Sequence, residues 1–142
     1  MHQISIEQAR TIIAKAFAEG AALKLKPLSV AVLDPGGHLI AFERQDGAST
    51  LRHGIATGKA AGALALGVSS RKIGEMAAER PSFVGALGAI APAGVIPAAG
   101  GLILVDDQDQ PLGAVGVTGD TSDNDELCAI AGIQATGLRF RP

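Results

Sequence analysis

Residues 30–48 constrain the fold of this chain more than any other stretch, because they have the pattern of two β-strands joined by a tight turn. The run Val30–Leu33 is short, apolar and rich in β-forming residues, and the second run alternates its side chains between two faces. The Asp-Pro-Gly-Gly sequence at 34–37 is typical of a type II turn, in which proline presets one φ angle and glycine supplies a positive one. The pattern therefore predicts a β-hairpin that places His38 and Arg44 on one face, at opposite ends.

Periodicity and capping residues predict the remaining elements. Helices are expected at about 6–23, 50–66, 70–80 and 122–137, and a second pair of strands at 101–105 and 112–118. The second helix is expected to begin with Ser49 or Thr50 as its cap, and residues 82–99 to form a long irregular connection of the kind that often lines a site. Strands joined by short turns pair antiparallel. The predicted fold class is therefore α+β, a single antiparallel β-sheet flanked by helices, in one domain spanning residues 1–142.

The composition excludes several function classes. Aromatic residues make up 3% of the chain and no basic run is present, which argues against a nucleic-acid partner. The single cysteine, Cys128, excludes an internal disulfide and a cysteine-rich zinc site, and the N-terminus lacks a signal-peptide pattern, so a cytoplasmic location is expected. Residues 81–105 carry no charge, but their prolines and glycines favour a loop leading into a strand over a membrane span.

Three glycines recur at every fourth position of the second predicted helix, at Gly54, Gly58 and Gly62. Each costs about 1 kcal/mol relative to alanine in a helix interior, so a compensating contact is expected. Close packing on the sheet or on a partner helix is one explanation; a shallow wall for a flat ligand at Gly58 and Gly62 is the other. Lys59 lies in the same helix and is either a solvated charge or a group that binds a ligand carboxylate.

The remaining candidate residues lie near the ends of the predicted strands. His38 and His53 are candidate haem ligands, because one axial imidazole suffices to hold haem iron. Arg44 either pairs locally with Asp46 or binds a carboxylate or propionate. Thr118 and Gly119, between a strand and a helix start, are candidate ligand-binding residues. In an enzyme, the proton-transfer candidates would be Asp34, Asp46 or His38.

Several blocks of the sequence together resemble the GlcG/HbpS family, whose members include haem-binding HbpS-like, glycolate-operon GlcG-like and PduO C-terminal-domain-like proteins. The blocks occur in the expected order between Ile4 and Gly137: residues 32–39, 43–48, Lys59-Ala60, Gly100-Gly101, and 113–119 followed by Asp123. The resemblance implies a profilin-like sheet with flanking helices, a homo-oligomer from a dimer up to an octamer, haem binding and, in some members, haem degradation.

Three functions follow from these residues and this resemblance. The first is binding of haem or a similar flat carboxylate-bearing ligand, with Arg44 and Lys59 for the carboxylates and His38 or His53 for iron. The second is an enzyme, a lyase, isomerase or accessory step, acting on small organic acids in glycolate or aromatic catabolism. The third is a non-catalytic assembly or regulatory module. The sequence leaves open whether the chain is an enzyme.

Overall fold

The two hairpins merge into one five-stranded antiparallel sheet in a computed structural model, which describes residues 2–142. The strands are β1 (Ser29–Leu33), β2 (Leu39–Arg44), β3 (Gly101–Val105), β4 (Pro111–Thr118) and β5 (Arg139–Phe140). The helices are α1 (Ile6–Ala22), α2 (Arg52–Leu66), α3 (Ser70–Glu79), α4 (Pro81–Leu87) and α5 (Ser122–Gln134). The strand order is β2-β1-β4-β3-β5, so the hairpins join where β1 pairs with β4. The predicted α+β class and single antiparallel sheet are confirmed.

The sheet separates two helical layers. Helices α1 and α5 cover one face, where Val30, Val32 and Val115 join a large aliphatic core with residues such as Ile12 and Ile133. Helix α2 covers the other face, and the alternating strand residues there are mostly small. This division follows from strand geometry, since successive side chains point to opposite faces.

Glycines in the sheet allow α2 to pack against the strands at backbone distance. A side chain at Gly116 would overlap the carbonyl oxygen of Ala56, and one at Gly101 would overlap that of Lys59. The glycines of α2 itself face elsewhere: a Cβ at Gly62 would lie 3.1 Å from the Cα of Val95, in the connection after α4. The expectation that the α2 glycines pack on the sheet is therefore wrong, because the sheet supplies its own glycines for that contact; packing on a partner helix stays a prediction for Gly54, which has nothing within 4 Å.

Other local predictions also need correction. The expected irregular connection at 82–99 begins with helix α4, whose Pro81 occupies a first-turn position that needs no N–H donor. The N-cap of α2 is Leu51, with no side-chain capping bond, rather than Ser49 or Thr50. In the first hairpin the positive φ is at Gly37 (86°), the fourth residue of the turn. A type II turn has its positive φ at the third residue, so the expected turn type is wrong.

The uncharged segment 81–105 forms α4, an irregular connection and β3. Within residues 2–142, no helix combines the length and the apolar character that crossing a membrane requires.

The close approach of α2 to the sheet can be tested with two glycine-to-alanine variants. Gly116→Ala should destabilise the protein by about 1–3 kcal/mol or more, because the methyl group meets the rigid backbone of Ala56. The matched control Gly54→Ala has nothing within 4 Å of its new methyl group and should stabilise the protein by about 0.5–1 kcal/mol. Denaturant unfolding measures both, and a wild-type midpoint for Gly116→Ala would contradict the packing described.

Candidate functional site

Three polar residues form a row across the end of the sheet. Ser29, the first residue of β1, pairs with Arg44 of β2 on one side and with Thr118 of β4 on the other. Directly opposed residues on neighbouring strands have their side chains on the same face. That face is the one covered by α2, because the Nη1 atom of Arg52 in α2 donates a 2.8 Å hydrogen bond to the Thr118 hydroxyl.

The first turn of α2 brings a cation and an imidazole to this row. Arg52 reaches Thr118, and the neighbouring His53 packs its ring edge-on against Phe42, with ring centroids 4.7 Å apart. Phe42 precedes Arg44 by two positions on β2 and therefore shares its face. We call this part of the molecule the arginine end; it consists of Ser29, Phe42, Arg44, Arg52, His53 and Thr118.

Positive charge is available at the arginine end. Within residues 2–142 neither Arg44 nor Arg52 forms an ion pair, and the Arg44 side chain makes no hydrogen bond. The local pair between Arg44 and Asp46 considered from the sequence does not form. Both residues instead line a groove of about 590 Å³ between the end of α1 and the end of β2. The guanidinium groups of Arg44 and Arg52 therefore have no carboxylate partner in the described part of the chain.

Two buried hydroxyl groups lack a hydrogen-bond partner. Across residues 2–142, Ser29 Oγ and Thr57 Oγ1 are the buried side-chain nitrogen or oxygen atoms with no partner. Ser29 is the centre of the polar row, and Thr57 follows His53 by one turn on the same side of α2. A buried polar atom without a partner costs roughly 1–3 kcal/mol and requires an explanation.

Lys59 lies behind the arginine end and is buried. Its ammonium donates to the Val117 carbonyl oxygen at 2.9 Å and to the Asp125 carboxylate at 3.1 Å, with only 3% and 2% of the two ionic side chains exposed. Burial lowers the pKa of Lys59 despite the opposing effect of Asp125, and the positive charge of Arg52 lowers it further. The interpretation of Lys59 as a solvated surface charge is therefore wrong. Its binding of a ligand carboxylate stays a prediction, and its ammonium is already bound to Asp125.

Glycines predicted to touch a ligand are packed against protein. Gly119 follows Thr118 with a φ of 146°, and a side chain there would overlap the Pro27 carbonyl oxygen. A Cβ at Gly58 would lie 2.6 Å from the Ile96 side chain, and Gly62 is covered by Val95. The connection after α4 thus occupies the surface of α2 on which a flat ligand was expected.

His38 and Asp34 lie at the opposite end of the first hairpin. Strand β2 begins at Leu39, so His38 belongs to the turn and does not share the strand face of Arg44 as predicted. Its Nδ1 lies 3.3 Å from Asp34 Oδ2, while Asp34 Oδ1 accepts from the backbone N–H groups of Gly36 and His38. Burial raises the pKa of Asp34, but the hydrogen bonds from His38 lower it by more, so the pKa lies below its usual value. This carboxylate is therefore held ionised within the turn.

A site of several metal ligands is not found in residues 2–142, where no three His, Cys, Asp or Glu side chains lie close enough together to hold a metal ion. Burial raises the pKa of the Cys128 thiol to about 11, so this side chain is neutral and belongs to the core. Any metal bound here would depend on a single imidazole, as haem iron can.

Sequence reasoning missed Ser29, Phe42, Arg52 and Asp125. Ser29 is significant only through its pairing with Arg44 and Thr118, and the pairing of β1 with β4 links residues far apart in the chain. One signal in the sequence could have identified Arg52, namely its position next to His53 at the start of a helix. A cation is unfavourable at this end of the helix dipole, so an arginine there suggests a role other than stabilising the helix.

A comparison with protein-family models matches residues 4–134 to the family described as "Haem degrading protein HbpS-like". A comparison with curated proteins finds no match.

Solved structures with the same fold include three that cover most of this chain. The PduOC:haem complex superposes with a TM-score of 0.87 at 20% identity, over 99% of each chain. The ORFY protein of Klebsiella pneumoniae gives a TM-score of 0.86 at 25% identity, covering 96% of this chain and 92% of that one. A double mutant of Streptomyces reticuli HbpS gives a TM-score of 0.79 at 27% identity, covering 94% and 87%.

Proposed function

The chain belongs to the HbpS-like family, and we propose that it binds haem at the arginine end, with His53 as the axial ligand of the iron. The observation that carries this proposal is the position of His53, an exposed imidazole that follows Arg52 in the chain and packs on Phe42, two positions before Arg44 on β2. Haem needs these three kinds of partner: a ring nitrogen for iron, apolar contact for the macrocycle and cations for the propionates.

The residues at the arginine end fit haem. Phe42 would contact the macrocycle, and Arg44 and Arg52, neither in an ion pair within residues 2–142, would hold the propionates. When bound, haem would supply an iron centre able to bind small ligands and exchange electrons. The chain would orient the macrocycle through His53 and fix its propionate edge through the two guanidinium groups.

The charges favour His53 over His38. The ring of His38 is 81% exposed at the tip of a hairpin, and its nearest charged neighbour is the Asp34 carboxylate. A carboxylate can orient an imidazole toward a metal, but the same negative charge repels the propionates of haem. Within residues 2–142 no carboxylate pairs with His53, which follows Arg52 in the chain. A solved structure of this fold, the PduOC:haem complex, was determined with haem, which supports the choice of ligand but not of residue.

A titration with haemin tests the proposal. Stoichiometric haemin should shift the Soret band of the wild-type protein, and His53→Ala should weaken binding at least tenfold, because the iron loses its axial ligand. His38→Ala is the matched control and should bind as the wild type does. Because His53 is exposed, its removal should leave the thermal unfolding midpoint nearly unchanged. No Soret shift in the wild type, or wild-type affinity in His53→Ala, would contradict the proposal.

We also propose that the chain assembles with copies of itself, as its family resemblance implies. Large apolar side chains are exposed at Leu51 (69%) and at Ile90 (80%), where a second subunit would remove them from water. Light scattering at micromolar concentration should give the mass of a dimer or a larger homo-oligomer. The mass of a monomer would contradict this part of the proposal. Catalysis on small organic acids and haem degradation stay predictions of the sequence.

A further inference from the structure

We propose that the arginine end also binds a small carboxylate when haem is absent, through Arg44, Arg52, Thr118 and Ser29. This inference goes beyond haem binding, since it rests on the polar row and does not require an iron ligand. The ligand class is a short-chain organic acid with one carboxylate at the row.

The row offers hydrogen-bond donors that nothing in residues 2–142 satisfies. Arg44 makes no side-chain hydrogen bond or ion pair, so its whole guanidinium fork is available. Thr118 accepts a bond from Arg52, which leaves its own O–H free to donate. The Ser29 hydroxyl has no partner at all. Arg44, Ser29 and Thr118 occupy paired positions of adjoining strands, and together with Arg52 they can donate to one anion once the side chains that cover Ser29 and Thr118 move.

The spacing of the row suits a small ligand. Neighbouring strands lie roughly 4.8 Å apart, so Arg44 and Thr118, which flank Ser29 on the two sides, are separated by about 10 Å of sheet. A carboxylate placed between them can accept from a guanidinium through one oxygen and from a hydroxyl through the other. Planar carboxylates match the arginine fork in two bonds at once.

A phosphate group fits the row less well. Phosphate sites usually use a series of backbone N–H groups from a glycine-rich loop or a helix N-terminus. The glycine that could begin such a loop here, Gly119, is packed against the backbone of Pro27 and Leu28. The hydrogen-bond donors that remain at the row belong to side chains, and their number suits the two oxygens of a carboxylate.

Ser29 gives the inference its sharpest test. Its hydroxyl is screened from solvent, so a ligand oxygen reaches it only if a neighbouring side chain moves. Arg44 is long and without a partner in residues 2–142, and its movement breaks no bond of the fold. Because the Ser29 hydroxyl bonds to nothing, its removal costs the fold no hydrogen bond, and any lost affinity reports a contact with the ligand.

The experiment is a titration of haem-free protein with sodium propionate, followed by amide chemical shifts and compared with sodium chloride at equal ionic strength. Propionate should cause saturable shifts at Ser29, Thr118 and His53 that chloride does not cause. Arg44→Gln and Ser29→Ala should each weaken propionate binding at least threefold. Arg10→Gln, which removes the same charge from the exposed surface of α1, is the matched control and should bind as the wild type does.

Three results would overturn the inference: shifts that do not saturate or that chloride reproduces, equal losses in Arg10→Gln and Arg44→Gln, or wild-type affinity in both Arg44→Gln and Ser29→Ala. Tighter binding of inorganic phosphate than of propionate would overturn the carboxylate assignment. Because no haem is present, failure here leaves the haem titration unaffected, and failure of haem binding leaves the propionate result standing.

Discussion

The buried ion pair between Lys59 and Asp125 is the interaction on which the rest of the arginine end depends. Lys59 belongs to the helix on one face of the sheet and Asp125 to a helix on the other, so the pair joins the two layers past the end of β4. Asp125 also accepts from the backbone N–H of Asp120 and thereby fixes the entry into α5. Two charges so deeply buried are costly unless they remain together, so the structure tolerates little relative movement of these helices at this point.

Glycine makes this pair sterically possible. A side chain at Gly100, which has a φ of 128°, would overlap the Val117 carbonyl oxygen and lie 2.9 Å from the Lys59 ammonium. The neighbouring Gly101 leaves room for the backbone of Lys59 itself. The lysine therefore passes through a gap that only missing side chains provide. The same helix carries Arg52 and His53 two turns earlier, so the position of the buried lysine sets where these two side chains meet the sheet.

Local chemistry predicted most of the elements, and long-range pairing decided the rest. Both hairpins and the helices α1, α2, α3 and α5 follow from periodicity and from turn and capping residues, which act over a few positions. The function of Lys59 could not be predicted in this way, because its partner Asp125 lies on another layer. The role of Ser29 could not be predicted from the sequence either, since it depends on which strands lie beside β1.

The order of the strands thus converts scattered polar residues into one candidate site. A buried pair fixes the helix, the helix presents a cation and an imidazole, and the sheet presents a second cation and two hydroxyls. A double-mutant cycle on unfolding free energy tests the first of these steps most directly. Lys59→Met and Asp125→Asn should each cost about 3–5 kcal/mol, while the double variant should cost clearly less than their sum. Single variants within about 0.5 kcal/mol of the wild type, or losses that simply add, would contradict the account.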